Sequence, residues 1–244
     1  MKKFLILQMR PIDETADSEF EAILRVAEIN REHVHRVRVE RLKNHNIDLN
    51  NYCAIIAGGS PFDISYPDHK KSDQQKQVES FFKGLFDQVI PIDFPFLGMC
   101  SGSGQLGDYY DTPISGKYSE PPGSVTLTVT EEGEKDELLA GLPNSFPGFV
   151  GHKEACDIVP QGAVLLVTSE PCPVQMYRIK DNVYATQFHP EADAHEFILR
   201  IKAYKNSGYF PPEKAGELIS TIKDIKTPIS NEILRRFAKK YSSI

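Results

Sequence analysis

Apolar positions along the first hundred residues fall into two alternating rhythms. Phe4 to Met9 is a nearly unbroken apolar run, the pattern of a strand buried on both faces. Asp17-Ser18 then offers a helix cap ahead of Phe20, Ile23, Leu24 and Ala27 at helical spacing. Val34 to Val39 is β-branched and Tyr52 to Ala57 is again continuously apolar, so both predict strands. Ser72-Asp73-Gln74-Gln75 has the form of a capping box, opening a helix with Val78, Phe81, Phe82, Leu85 and Phe86 on one face. Phe94 to Met99 predicts the next strand. Strands alternating with helices imply parallel β-α-β units and a doubly wound sheet.

The second half changes rhythm. Val125 to Thr130, Ala163 to Ser169, Val174 to Ile179 and Val183 to Gln187 predict strands with little helix between them, and Lys180-Asp181-Asn182 predicts a hairpin turn joining the last two. From Ala194 the pattern is helical, with Phe197, Ile198, Ile201 and Tyr204 on one face. Pro211-Pro212-Glu213 starts another helix, and Ser230 is the expected cap of a third bearing Ile233, Leu234 and Phe237. The expected fold class is α/β: three layers, αβα, around a mixed, mostly parallel sheet with an antiparallel extension. One domain is expected over 1–205, with 206–244 as a helical extension packed on it.

Composition narrows the function. At 244 residues, 40% hydrophobic and 25% charged, the chain can bury one large core. A net charge of −6 argues against a nucleic-acid or anionic-membrane surface as the main partner. No apolar run reaches membrane-spanning length. Lys2-Lys3 followed by a short apolar stretch reads as a first strand rather than a secretory signal. Cys53, Cys100, Cys156 and Cys172 lack metal-type spacing, so reduced thiols in a cytoplasm and no bound metal are expected.

Two short motifs carry the chemistry. Gly98-Met99-Cys100-Ser101-Gly102 follows an apolar run and has the form of a nucleophile elbow, with cysteine in place of serine. The helix N-terminus after it is expected to place the thiolate in a positive field that lowers its pKa. Much later, His189-Pro190-Glu191 directly follows a strand and supplies a base and a carboxylate to orient it. A buried cysteine is usually inert, a histidine is usually structural, and Glu191 could simply open a helix. The glycine-flanked elbow and the adjacent pair together reverse that balance. Attack on a carboxamide also needs fixed donors for the oxyanion. The N–H groups of Ser101 and of Gly59, in the loop after the Tyr52 to Ala57 strand, are the candidates.

With these motifs the chain resembles the class I glutamine amidotransferases, which take ammonia from glutamine with a Cys-His-Glu triad. Ile55-Ile56-Ala57-Gly58-Gly59-Ser60-Pro61 is similar to the family's glycine oxyanion loop. Asp136 to Pro143 and Glu170 to Gln175 resemble the branch related to the glutaminase part of GMP synthetase. The resemblance covers roughly residues 1 to 205 and implies a flavodoxin-like sheet. Cys100, His189 and Glu191 then form the triad, and Gly58, Gly151 and His152 contact substrate. It implies chemistry without metal or organic cofactor, on glutamine or a related γ-glutamyl amide.

One departure matters. The family places glutamine four residues after the nucleophile, where this chain has Gly104, with Gln105 next. On a regular helix one residue rotates a side chain by ~100°, so Gln105 reaches substrate only if the glycine-rich turn absorbs the extra residue. Gly102 to Gly107 also matches a dinucleotide fingerprint, but Asp111-Thr112-Pro113 cuts the following helix short. No Ser-Gly-Gly-x-Asp-Ser pyrophosphatase signature occurs, so resemblance implies either a stand-alone enzyme or a separate synthetase subunit that accepts the ammonia. The alternatives are a γ-glutamyl hydrolase or peptidase on the same scaffold and a non-catalytic binding homologue. Three intact triad residues speak against the last.

Overall fold

The computed structural model describes residues 2–42 and 47–242. Its elements run β1 (Lys3–Gln8), α1 (Asp13–Ala27), β2 (Val34–Arg38), β3 (Tyr52–Ala57), α2 (Asp73–Val89), β4 (Phe96–Met99) and α3 (Ser101–Tyr109). There follow β5 (Ile114–Ser115), β6 (Glu120–Val129), β7 (Ser145–His152), β8 (Ala155–Cys156), β9 (Ala163–Thr168), β10 (Met176–Ile179) and β11 (Val183–Thr186). Three helices close the chain: α4 (Ala194–Ala203), α5 (Ala215–Ile222) and α6 (Pro228–Tyr241).

Nine strands form one sheet in the order β2-β1-β3-β4-β11-β10-β9-β6-β7. From β2 to β11 every pairing is parallel, and from β11 to β7 every pairing is antiparallel. Side chains alternate across the central strands as period two requires. Phe4 and Ile6 join α1 and α6 on one face, whereas Leu5 and Leu7 join α2 and α3 on the other. The α6 residues Ile233, Leu234 and Phe237 are fully buried in that first core. A smaller cluster of Phe149, Phe197, Ile201, Phe210 and Ile222 ties α4 and α5 to β7.

Several sequence expectations are corrected at element ends. Helix α1 starts at Asp13, not after Asp17-Ser18. Those two side chains engage Arg36 and Glu196 from inside the helix, and Thr15 Oγ1 bonds the Ile12 carbonyl at the true start. Ser230 is buried within α6, which instead opens with Pro228 at its first position, where the missing N–H costs nothing. The Ser72 box is half formed: Ser72 Oγ accepts from Gln75 N, but the Gln75 amide turns to the Asp63 carbonyl and Glu79. Strand β6 begins at Glu120, five residues early, with a register shift at Pro121-Pro122. Strand β7 has no counterpart among the sequence expectations. It lies at the sheet edge, where Pro147 forfeits no interior ladder bond.

Parallel strands bring their C-terminal ends to one rim. Around the switch point between β1 and β3 that rim gathers Arg10, Gly58-Gly59, Cys100 and the segment Gln187 to Glu191.

Candidate active site

Cys100 ends β4 and precedes α3 with φ 54° and ψ −103°, a conformation natural to glycine. Backbone bonds clamp it from both sides: its N–H donates to the Thr186 carbonyl at 2.7 Å, and its carbonyl accepts from Gly104 N at 3.0 Å. The flanking glycines are steric requirements. A Cβ on Gly98 would sit 2.6 Å from the Gly102 carbonyl, and one on Gly102 would sit 2.9 Å from the Ala57 carbonyl oxygen. The elbow therefore exists because β3, β4 and α3 approach within backbone contact.

The expected fall in the Cys100 pKa does not occur. Burial pushes the thiol up to about 12, although Arg10 and Arg200 both pull it down. Desolvation of the charged form outweighs the helix field and the two cations. Cys156 and Cys172 are also pushed up to about 12 by burial, so it is the elbow that sets Cys100 apart.

His189 follows β11 and is anchored by its N–H on the Phe149 carbonyl at 2.9 Å. Its Nδ1 lies 2.8 Å from Glu191 Oε1, and Glu191 is fully buried. Burial would raise the Glu191 carboxyl, but His189 and Arg200 win and hold it far below the usual carboxylate range. Burial lowers the pKa of His189, Glu191 opposes this, and Arg200 reinforces it. Arg200, on α4, places Nη2 2.9 Å from Glu191 Oε1 and Nη1 2.9 Å from His189 Nδ1. In the tautomer whose Nδ1–H donates to Glu191, Nε2 is the proton acceptor, and Arg200 Nη1, itself a donor, is then a neighbouring cation and not a hydrogen-bond partner of Nδ1.

Two recesses meet at Cys100. The first is lined by Ser60, Asp63, Ser101, Gly104, His152, Lys153, Glu154 and Gln187, among others. The second is lined by Arg10, Gly151, His189, Phe197, Arg200 and Tyr204. Both include Ser60, Cys100 and Tyr209, and Tyr209 reaches across with its hydroxyl 3.4 Å from the Ser60 carbonyl. Gly151 and His152 thus open onto different recesses. Both ring nitrogens of His152 are engaged, Nε2 with Glu120 at 2.7 Å and Nδ1 with the Glu154 carbonyl at 3.1 Å. Among the described residues Glu120, His152 and Cys172 also bring one potential ligand atom each within 4.8 Å of one another. The imidazole and carboxylate of that group already pair.

Two of the expected site residues are placed differently from the rest. Gln105 faces the groove beside Lys76, Glu79 and Lys83 of α2, away from Cys100, because α3 is regular from its first residue and absorbs no extra position. Gly104 faces the first recess instead. The Gly59 N–H is engaged as well: it donates to Glu19 Oε2 at 3.2 Å. A Cβ on Gly58 would lie 2.3 Å from the same carboxylate, so this loop is shaped around Glu19. The Ser101 N–H faces the Cys100 sulfur and lowers its pKa.

Sequence reasoning missed Arg10, Glu19, Gln187 and Arg200. Arg10 Nε bonds Glu19 Oε2 at 2.5 Å, with both side chains almost fully buried. Gln187 Nε2 lies 4.0 Å from Cys100 Sγ. A buried-looking glutamate at position 19 within an apolar helix face was the available signal.

The family model described as glutamine amidotransferase class-I matches residues 14–202. A relative from Methanococcus maripaludis, named as one subunit of a glutamine-hydrolysing GMP synthase, is 30% identical over 106 residues, 43% of this chain and 54% of that protein. The glutamine-hydrolysing GMP synthase of Thermosipho melanesiensis is 28% identical over 195 residues, 78% of this chain and 35% of that protein. The chain therefore matches about half or less of these relatives' length. Among solved structures, a glutamine amidotransferase from Thermotoga maritima is 19% identical and covers 100% of both chains with a TM-score of 0.76. One from Methylobacillus flagellatus is 16% identical, covers 100% of this chain and 95% of its own, and has a TM-score of 0.72. Both share the fold.

Proposed function

This chain belongs to the class I glutamine amidotransferases, and from that premise we propose that Cys100, His189 and Glu191 hydrolyse the side-chain amide of glutamine. The observation that carries the reading is the oriented pair, His189 Nδ1 2.8 Å from Glu191 Oε1, in a recess whose lining includes a cysteine held at a strained elbow. Thiol and imidazole are both neutral at rest. His189 takes the thiol proton as sulfur attacks the γ-carbonyl, and the carbonyl electron pair moves onto oxygen. Collapse breaks the C–N bond while His189 gives its proton to nitrogen, releasing ammonia and leaving a γ-glutamyl thioester. Water, deprotonated by His189, then attacks the thioester. Glutamate leaves and the thiol re-forms. Glu191 orients the ring and stabilises the imidazolium. The steps call for neither metal nor organic cofactor.

The first recess suits the amino-acid end of the substrate because it carries both signs of charge, Glu154 and the Asp63–Lys153 ion pair, which substrate would have to share. Ammonia would pass to a separate synthetase subunit. The relative named as one subunit of a GMP synthase supports that reading. Among the described residues no helix is long and apolar enough to cross a membrane. The four cysteines are free, which supports a reducing, cytoplasmic setting for the reaction. We treat 206–244 as an extension of the 1–205 unit. A second reading, a γ-glutamyl hydrolase, is favoured by Gly104 in the first recess, which offers substrate no side chain. The test is a glutamine-like diazoketone followed by peptide mapping, alongside glutamate release from glutamine and other γ-glutamyl amides. Cys100 should be modified first. First modification at Cys53, Cys156 or Cys172 would sink the assignment, and cleavage of another amide without glutamine turnover would select the hydrolase.

A further inference from the structure

Amide attack at Cys100 creates an oxyanion, yet the backbone donor expected from the glycine loop is already engaged. Gly59 N–H points at Glu19 Oε2. The same carboxylate oxygen holds Arg10 Nε at 2.5 Å and so fixes the guanidinium beside the loop. Tyr204 packs on its other side, 5.9 Å from ring centroid to Cζ. The orientation that results is specific. Arg10 Nη2 lies 2.6 Å from where a Gly59 Cβ would be, and His189 Cε1 lies 3.3 Å from that same point. Guanidinium and imidazole thus converge over Gly59, in a recess whose lining includes Cys100 and Ser60.

We propose that Arg10 is a catalytic residue that receives the developing oxyanion through its Nη donors, with Ser101 N–H as the backbone partner, in place of Gly59 N–H. This rests on the amide-hydrolysis reading of Cys100. Glu19 is the positioning residue: it occupies the glycine N–H and aims the arginine. A full charge held in a dry site stabilises an alkoxide-like oxygen more strongly than a neutral amide does. Arg10 is also the first cation that lowers the Cys100 thiol, consistent with its facing the same centre. The position beyond Gly59 must stay free of a side chain for this to work, which gives the glycine a second reason to be there.

The experiment measures glutamate release and iodoacetamide alkylation of Cys100 in the full chain. Arg10→Gln should lower kcat by about 10²–10³-fold with KM changed far less, the loss seen when an oxyanion donor is removed. Arg10→Lys should recover part of it, as a point charge without the planar fork. The alkylation profile of Arg10→Gln should move to higher pH, because a cation that lowers the thiol is removed. That shift checks that Arg10 faces the sulfur, and the kcat-against-KM split checks the oxyanion role. Because Arg10→Gln strands the buried Glu19, the double variant Arg10→Gln/Glu19→Gln is measured beside it, with thermal melting as the check on folding. A folded double variant with kcat still depressed supports the proposal. A double variant restored to wild-type kcat overturns it and makes Arg10 a counter-ion for Glu19 only. Should the wild type release no glutamate from any γ-glutamyl amide and leave Cys100 unlabelled by the diazoketone, the underlying reading falls, and this inference with it.

Discussion

Cys100 and His189 stand at the ends of adjacent parallel strands, β4 and β11, but they are held by opposite means. Cys100 is fixed by main chain: a strained φ, two backbone hydrogen bonds and glycines that let three elements touch. His189 is fixed largely by charge, through Glu191 and Arg200. The Arg10–Glu19 pair lies next to them, with Glu19 Oε2 3.8 Å from Arg200. A backbone-held group keeps its geometry whatever the pH. A charge-held group does so only while its partners keep their protonation states.

The sharpest break in that comparison is His189→Ala, which leaves the elbow untouched. Glutamate release should fall by about 10³-fold or more, because triad members act as a unit, whereas melting should change little. Near-normal turnover in that variant would end the triad reading. Next comes Arg200→Met, which removes one member of the buried cluster. Leaving Glu191 without its cation should cost about 3–5 kcal/mol of stability by denaturant titration. Its effect on pH is also signed. Arg200 lowers the His189 pKa, so the acidic limb of kcat/KM should move to higher pH in the variant.

For the wild type the same logic fixes where that limb lies. His189 must be neutral to accept the thiol proton, and burial lowers its pKa. Activity should therefore persist below the ordinary histidine range near pH ~6.5 before it falls. Stability follows the same sign for both groups. Glu191 and His189 each bind protons less readily when folded, so stability is present above their unfolded pKa values and is lost as pH falls. A limb above pH ~7 would contradict the buried, cation-flanked imidazole. The smallest effect is expected at Gln105→Ala. Its side chain faces α2, so KM for glutamine should change less than about twofold, within the range of a change that touches no substrate contact. A selective rise in KM would return Gln105 to the site.

The contrast also explains what could be read in advance. Strands β1, β3 and β4 are continuous apolar runs, and the elbow and the His189-Pro190-Glu191 pair are local motifs, so periodicity and spacing expose them. Arg10, Glu19 and Arg200 become partners only through the β1-α1 turn and α4, separations that no local pattern records. The partner of the Gly59 N–H was invisible for that reason: the carboxylate occupying it is 40 residues away. Strand β7 escaped because Pro147 and Gly148 interrupt its apolar pattern, and its place at the sheet edge makes them acceptable. Ser230 and Asp17-Ser18 have the right residue types for caps, but tertiary partners and Pro228 decided where those helices start.

The backbone at Cys100 has one more consequence, for how this enzyme can decay. A residue other than glycine at φ 54° and ψ −103° costs about 1–3 kcal/mol. Cys100→Gly should therefore melt above Cys100→Ala, reversing the usual order of those two residues, and calorimetry of the pair would show it. Loss of the Cys100 thiol by that single step makes the fold more comfortable, so stability alone would let the position drift. Only continued demand for the reaction keeps a cysteine there, and lineages released from that demand should tend towards robust, inactive descendants.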